Sequence, residues 1–445
     1  MEVENIMGVM KIGDTVKMKN GGDAKILAEF GAGGQGTVYK VSYNGKEYAL
    51  KWYHNGAFKG KEKEFYANLE NNIAKGAPTE AFLWPLGITE VQNGSFGYIM
   101  EIRPAGYEEL TNFFVGSKKK QQVRFKSFNA ISTAAINIIQ AFRELHNRGY
   151  SYQDINNGNF FINPTTGKVL ICDNDNVSPY GTNLGIMGKQ RWMAPEIVTL
   201  KSDPDKQSDR FSLAVVLFRL LFINHPLEGK YSTPPCMTKE LEKKYYGSEP
   251  IFVYDPNDMR NRPIPGTDRN LKLFWNIYPQ YIRDLFVRAF SQEVMHKKKA
   301  RVLEKEWLDA FFRLRAETGK CPYCKNEMFY SAEGVNECFE CKKKINKPAA
   351  LLFKNYQLPV YNGMKVYLWH IDSTLEDIET IAGEIVANPK NPQMLGLRNT
   401  STYTWKINLP DGSQKPLAPG SVVPIKDGFV IDFFGNNQST ATMKI

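Results

Sequence analysis

No stretch of 18 consecutive apolar residues occurs anywhere in the 445-residue chain, so no membrane-spanning helix is expected. The densest apolar run, 211–222, is interrupted by Arg219 and is too short to cross a bilayer; it reads as a buried helix. The opening residues, MEVENIMGVMKIGD, begin acidic and lack the apolar centre of a signal peptide, so a cytoplasmic address is expected. Internal repeats and low-complexity tracts are absent. Cysteine is scarce. Of six, Cys172 and Cys236 stand alone and the other four form two close pairs, a pattern that points to metal rather than disulfides. The excess of positive charge is mild: 57 Lys and Arg against 47 Asp and Glu leave +10. That balance fits a soluble basic protein and does not single out nucleic acid, anionic membrane or an acidic ligand.

What is present is core-forming material. A hydrophobic content of 42% with 13% aromatics excludes a disordered chain. The length suggests roughly two to four domains. Composition divides the chain into a large block at 12–316, a Cys/Lys-rich insert at 318–347 and a strand-rich block at 350–445. The lysine clusters 118–120, 297–299 and 342–344 read as solvated faces.

The first block opens with an antiparallel meander whose first turn is FGAGGQGTVYKV. Gly31, Gly33 and Gly36 have the spacing G-x-G-x-x-G, with Ala32, Gly34, Gln35 and Val38 between and after them. Glycines let backbone approach a phosphate chain without Cβ obstruction. The same spacing marks dinucleotide-binding turns, but there a helix follows; here a strand follows, which favours a hairpin tip covering a nucleotide. Lys51 sits in the next strand, within YALKWY, and a buried ammonium needs an anionic partner. Glu64 is the preferred partner, because Phe65 and Leu69 then form the packing face of the following helix; Glu70 is the alternative.

After about residue 125 helical patterns dominate. Ile131, Ala135, Ile138, Phe142 and Leu145 form one apolar face, with His146 just beyond it as a capping or packing residue. A loop, YSYQDINNGNFFI, then carries Asp154 and Asn159, and the apolar strand in KVLICDNDN ends at Asp173. One proton acceptor and two metal-facing oxygen ligands suit phosphoryl chemistry with Mg²⁺.

This ordered set resembles the protein kinases: glycine-rich loop, strand lysine, D-x-x-x-x-N, an aspartate after an apolar strand, then Ala194-Pro195-Glu196. The resemblance covers roughly 12–315. It implies an α+β, bilobal kinase fold with an N-lobe at about 12–102 (antiparallel sheet plus helix C) and a helical C-lobe at about 103–316. It also implies ATP as phosphoryl donor. Asp154 would accept the substrate proton, Asn159 and Asp173 would hold Mg²⁺, and Lys51 paired with Glu64 would grip the α- and β-phosphates. The glycine-rich loop would cover the phosphates, and Met100, Glu101, Ile102 and Arg103 would be the gatekeeper and hinge that hold adenine. Asp209 would brace the catalytic loop and Arg301 would pair with Glu196. DNDN, MAPE, SLAVVLFRLLF and NHPLEG are similar to one bacterial branch of eukaryotic-like serine/threonine kinases. Members of that branch accompany metal-dependent protein phosphatases and von Willebrand A-type proteins in signalling.

Three departures stand out. Tyr152-Gln153 replaces the usual His-Arg before the catalytic aspartate, so a phosphate on the activation loop loses its usual docking cation. Asn156 replaces the usual lysine and removes a cation from the γ-phosphate side. Asp173-Asn174-Asp175 replaces D-F-G. They keep open a pseudokinase that binds nucleotide or a partner without transfer.

The insert reads C-x₂-C, thirteen residues, C-x₂-C: Cys321, Cys324, Cys338 and Cys341. Two knuckles complete a closed tetrahedron for structural Zn²⁺. It resembles zinc ribbons, which bind nucleic acid or protein, so a kinase guided to nucleic acid is the remaining alternative. The last block reads as a small all-β sandwich with strands at 364–370, 394–398, 404–408, 422–424 and 428–434. It weakly resembles part of a forkhead-associated domain and suggests protein interaction.

Overall fold

The computed structural model describes residues 10–115, 121–185 and 187–445. The lysine cluster 118–120 and residues 1–9, which hold most of the segment read against a signal peptide, lie outside them. The chain divides into two compact units. One comprises the chain up to Arg124 with Asn137–Lys272 and Leu285–Glu304; the other comprises Phe125–Ile136, Leu273–Asp284 and Lys305–Ile445.

In the first unit, β1 (Thr15–Lys17), β2 (Asp23–Ala32), β3 (Gly36–Tyr43), β4 (Lys46–Tyr53), β5 (Gly87–Ile88) and β6 (Gly97–Met100) form an antiparallel sheet ordered β1-β2-β3-β4-β6-β5. Helix α1 (Glu62–Lys75) follows β4. Side chains alternate across a strand. Leu50 and Trp52 of β4 therefore enter one apolar cluster with Val16, Ile26 and Val41. Ala49 and Tyr53 enter the other, with Phe65 and Leu69 of α1. Lys51 shares the parity of Ala49 and Tyr53, so its side chain leaves the sheet on the α1 side. At Gly36 a Cβ would run into the Trp52 carbonyl, so the hairpin closes onto β4 only with glycine there.

Helices are the main regular elements in the remainder of this unit. The helix Phe128–Asn147, which enters this unit from Asn137 onward, buries more than the single stripe its periodicity predicts: Ala134, Ile136, Ile139 and Ala141 are buried along with Ala135, Ile138, Phe142 and Leu145. Lys206–Phe222 carries the apolar run and is buried from Phe211 onward except at Arg219. Its start is capped by Asp205, which accepts the Gln207 and Ser208 N–H groups at 2.8 Å, while the Ser208 hydroxyl accepts the Asp205 N–H at 2.8 Å. No helix of the described residues is long and apolar enough to cross a membrane.

In the second unit, the short ladders Thr318–Lys320 with Glu327–Phe329, and Asn336–Glu337 with Lys344–Ile345, frame the cysteines. Beyond them come two antiparallel sheets, of six and four strands. They share a core that includes Leu351, Ile385, Leu397, Trp405, Ile407, Ile431, Phe433 and Met443. The all-β expectation for this block is met, with two differences. The strand expected at 364–370 stops at Tyr367, and Leu368–Ile371 is a helical turn whose entry His370 fixes by accepting the Tyr367 N–H at 2.9 Å. Ala350–Leu352, Ile381–Asn388 and Thr440–Lys444 are further strands, each paired on both sides within its sheet.

Candidate active site and cysteine cluster

The site lies within the first unit. The glycine-rich hairpin connects β2 and β3; its turn closes through the Gly33 N–H donating to the Gly36 carbonyl at 2.8 Å. Gly31, Ala32, Gly33 and Gly34 are exposed, Gln35 and Val38 are half-buried, and nothing stands within 4 Å of a Cβ built at Gly34. Backbone here is free to approach a ligand.

Lys51 is buried in mid-strand, between Val38 on β3 and Tyr98 on β6. Its ammonium donates to Asp175 Oδ2 at 2.8 Å and lies 3.3 Å from Asp173 Oδ1. The Tyr53 hydroxyl, two residues along the same face, also donates to Asp175 Oδ2, at 2.6 Å. Burial opposes the charge on Lys51, but the two aspartates outweigh it and hold the pKa above the ordinary lysine value. The expected pairing of Lys51 with Glu64 is corrected. Glu64 is exposed, because α1 turns Phe65, Leu69 and Asn72 inward, and the alternative Glu70 pairs with Lys19. The inner face of α1 instead presents two amides: Asn68 and Asn72 both donate to the Val177 carbonyl at 2.8 Å.

Asp175 reaches Lys51 because a single 3-10 turn, Asn174–Asn176, follows Asp173. Asp173 takes a left-handed conformation at φ 54°, and Asn174 anchors the turn by donating to the Leu83 and Ile171 carbonyls at 2.8 and 2.9 Å. The turn buries Asp175 fully and leaves the Asp173 side chain 42% exposed. One acid of the pair is thus an anchor and the other is open to a ligand.

Asp154 and Asn159 stand next to Asp173. Asn159 donates to the Asp154 carbonyl at 2.9 Å, and its own carbonyl accepts the Cys172 N–H at 2.9 Å. Asp154 Oδ1 accepts from Asn156 at 3.0 Å. Burial raises the Asp154 carboxyl to about 6, against the lowering effects of the Asn156 hydrogen bond and the Lys189 charge. The Cys172 thiol is pushed well above its usual value, first by burial and then by Asp173, as befits an unreactive cysteine. The structure therefore brings Lys51, Asp154, Asn159 and Asp173 to one place. Glu101 pairs with Lys46 at 2.7 Å and the Arg103 guanidinium lies 4.0 Å from the centre of the Phe161 ring. Both side chains are thus engaged within the protein.

Behind the loop, Asp209 accepts the N–H groups of Tyr152 and Gln153 at 2.7 and 3.0 Å. His146 links Asp209 at 3.2 Å to Glu304 at 2.7 Å. Arg301 makes a two-pronged pair with Glu196 at 2.9 and 2.7 Å. Gln153 donates to the Ser151 and Ser178 hydroxyls, at 3.0 and 2.7 Å, and to the Thr182 carbonyl at 2.7 Å.

In the second unit, Cys321, Cys324, Cys338 and Cys341 place their sulfurs within 4.8 Å of one another. Cys321 lies 3.8 Å from Cys341, and Cys324 3.7 Å from Cys338. A disulfide requires about 2.05 Å; four thiolates about 2.3 Å from a tetrahedral zinc stand about 3.8 Å apart. The cluster is compatible with Zn²⁺. Each knuckle has the same build: the residue after its second cysteine, Lys325 or Lys342, is left-handed and returns its N–H to the first cysteine's carbonyl at 3.0 or 2.9 Å.

Residues 24–259 match the protein kinase domain family. Among curated proteins, the chain is similar to "Protein kinase YegI" of Escherichia coli O157:H7, 26% identical over 313 residues. It is 25% identical over the same length to the protein of that name from strain K12. These alignments cover 66% of this chain and 45% of the relatives, so the chain spans less than half of their length. "Probable serine/threonine-protein kinase nek3" of Dictyostelium discoideum is 25% identical over 177 residues, 38% of this chain and 15% of that one.

Proposed function

The chain belongs to the protein kinase domain family, and from that premise we propose that it transfers the γ-phosphoryl group of ATP to serine or threonine hydroxyls of proteins, itself included. The observation that supports this reading is the convergence of Lys51, Asp154, Asn159 and Asp173, with Asp173 accessible and Lys51 held as a cation.

In this reading Asp154 takes the proton from the substrate hydroxyl as its oxygen bonds to the γ-phosphorus. The bond to the β–γ bridging oxygen breaks and ADP leaves with that electron pair. Lys51 holds the α- and β-phosphates, and Gly33 and Gly34 bring backbone over them. Asn159 and Asp173 would hold magnesium, which when bound neutralises charge on the phosphates. Positioning and neutralisation are what this reaction requires, and these side chains supply both. The cysteine cluster would carry structural zinc. The C-terminal sandwich would serve protein interaction in a forkhead-associated-like manner. A cytoplasmic circuit with a metal-dependent phosphatase and a von Willebrand A-type protein follows from the branch resemblance.

Incubation with labelled ATP, magnesium and a generic protein substrate tests the proposal, with Asp154→Asn as control. Label on serine or threonine that is lost in the variant is the expected result. One observation favours a second reading, the pseudokinase: the inner face of α1 offers amides where Lys51 would draw on a glutamate. Tight MgATP binding with no transfer would select it.

A further inference from the structure

The catalytic loop lacks a cation two residues after Asp154, where Asn156 stands. The structure puts one there from elsewhere in the chain. The Lys189 ammonium donates to Asn156 Oδ1 at 2.8 Å, and Asn156 passes the contact on by donating through Nδ2 to Asp154 Oδ1 at 3.0 Å. A Cβ built at Gly158 would lie 3.5 Å from the same ammonium and 3.9 Å from Glu109 Oε1, so the group lies over the loop between Asp154 and Asn159.

The backbone that carries Lys189 is fixed. Its carbonyl accepts the N–H groups of Trp192 and Met193 at 2.8 and 3.2 Å. Gly188, left-handed at φ 84°, lies so close to the loop that a Cβ would be 3.0 Å from the Gln153 carbonyl and 3.6 Å from Asp154 Oδ1. Among the described residues the Lys189 ammonium forms no ion pair; its hydrogen-bond partner is the neutral amide of Asn156. A cation held on an amide beside Asp154, with no direct ion pair among the described residues, is placed to meet an anion that enters there.

We propose that Lys189 binds the γ-phosphate of ATP, the activation segment delivering the charge that the catalytic loop lacks at Asn156. The two positions have exchanged roles: the segment supplies the ammonium and the loop supplies the neutral group that orients it. The inference rests on the transfer reaction proposed above. It makes Lys189 a catalytic residue that neutralises the non-bridging oxygens as the phosphoryl group moves; the proton still passes to Asp154.

The test compares the full chain with Lys189→Thr, Lys189→Gln and the double variant Asn156→Lys/Lys189→Thr. Calorimetry gives MgATP and MgADP affinities, and labelled ATP gives transfer rates. Removing the charge is expected to weaken MgATP about tenfold, with MgADP unchanged within about twofold, and to slow transfer on the order of 100-fold. The double variant, which moves the cation to the loop, is expected to regain most of both. Lys189→Gln keeps a donor for Asn156 without the charge, so a defect there in a chain that melts like the parent is electrostatic. An unchanged preference for ATP over ADP, or a well-folded double variant with no recovery, overturns the proposal. A parent chain that binds MgATP and transfers nothing defeats the kinase reading instead, and the ATP-over-ADP preference then decides this one alone.

Discussion

Lys51 and Asp175 form a buried ion pair at 2.8 Å, with the lysine on β4 and the aspartate on the turn that also carries Asp173. The ammonium is therefore anchored by the segment at and after Asp173 and not by helix α1. On the reading proposed above, Lys51 would hold phosphates without a glutamate from α1, so the absence of one there does not by itself silence the site.

Asp175→Asn should be strongly destabilising. Removing one partner of a buried pair leaves the other charge uncompensated and costs about 3–5 kcal/mol. Denaturant unfolding of the variant, with Tyr53→Phe as the milder companion that loses only the 2.6 Å hydrogen bond, measures this. A variant as stable as the parent, with MgATP affinity intact, would remove Asp175 from its anchoring role.

The start of the activation segment is tied to the catalytic loop by uncharged groups. Gln153 ties together Ser151, Ser178 and Thr182, and Ser178 is buried in a ladder with Ser151. Ser178→Ala and Thr182→Ala should each keep transfer activity, because no phosphate is needed to order the segment. Gln153→Ala should lower it, at a structural cost of about 1–3 kcal/mol for the donors and acceptors left unpaired. Abolition of transfer by either alanine change at 178 or 182 would contradict this account.

The His146 bridge gives the fold a pH signature. Asp209 and Glu304 raise the His146 pKa above its ordinary 6.5 despite burial, and His146 with Arg210 lowers Glu304 to about 2. A raised histidine contributes its full stabilisation below pH 6.5 and loses it as pH climbs through the folded value. A lowered carboxylate contributes fully above its ordinary 4.5 and loses it as pH falls towards 2. Melting temperature should therefore benefit most from this network between about pH 4.5 and 6.5. His146→Gln should flatten the alkaline side of that profile; an unchanged slope above pH 6.5 would show that the bridge is not charged.

For the cysteine cluster, one zinc per chain is expected by elemental analysis. Chelation should free four thiols, and Cys324→Ser or Cys338→Ser should lose the metal. Full metal content in both variants, or the visible colour of an iron–thiolate centre, would reject a closed zinc site.

Lys51 was legible as a charged residue inside an apolar strand, and Asp154, Asn159 and Asp173 as oxygen-bearing side chains beside short apolar segments. The cysteines were legible because ligand spacing is a local property. Asp175 was visible only as a departure from D-F-G. Its role depends on a left-handed Asp173 and an inward 3-10 turn, neither of which leaves a periodic mark. Glu64 misled because its neighbour Phe65 gives the helix face correctly, yet the residues that meet the segment after Asp173 are Asn68 and Asn72, one and two turns further on. Lys189 was illegible for the same reason: thirty-three residues separate it from Asn156, and only the fold closes that gap.

The pair that anchors Lys51 also bears on pharmacology. A ligand that needed the segment after Asp173 to turn outward would first have to open this pair. In this chain that excursion would expose a fully buried carboxylate and strand an ammonium in the same motion. Ligands that demand it should bind poorly here.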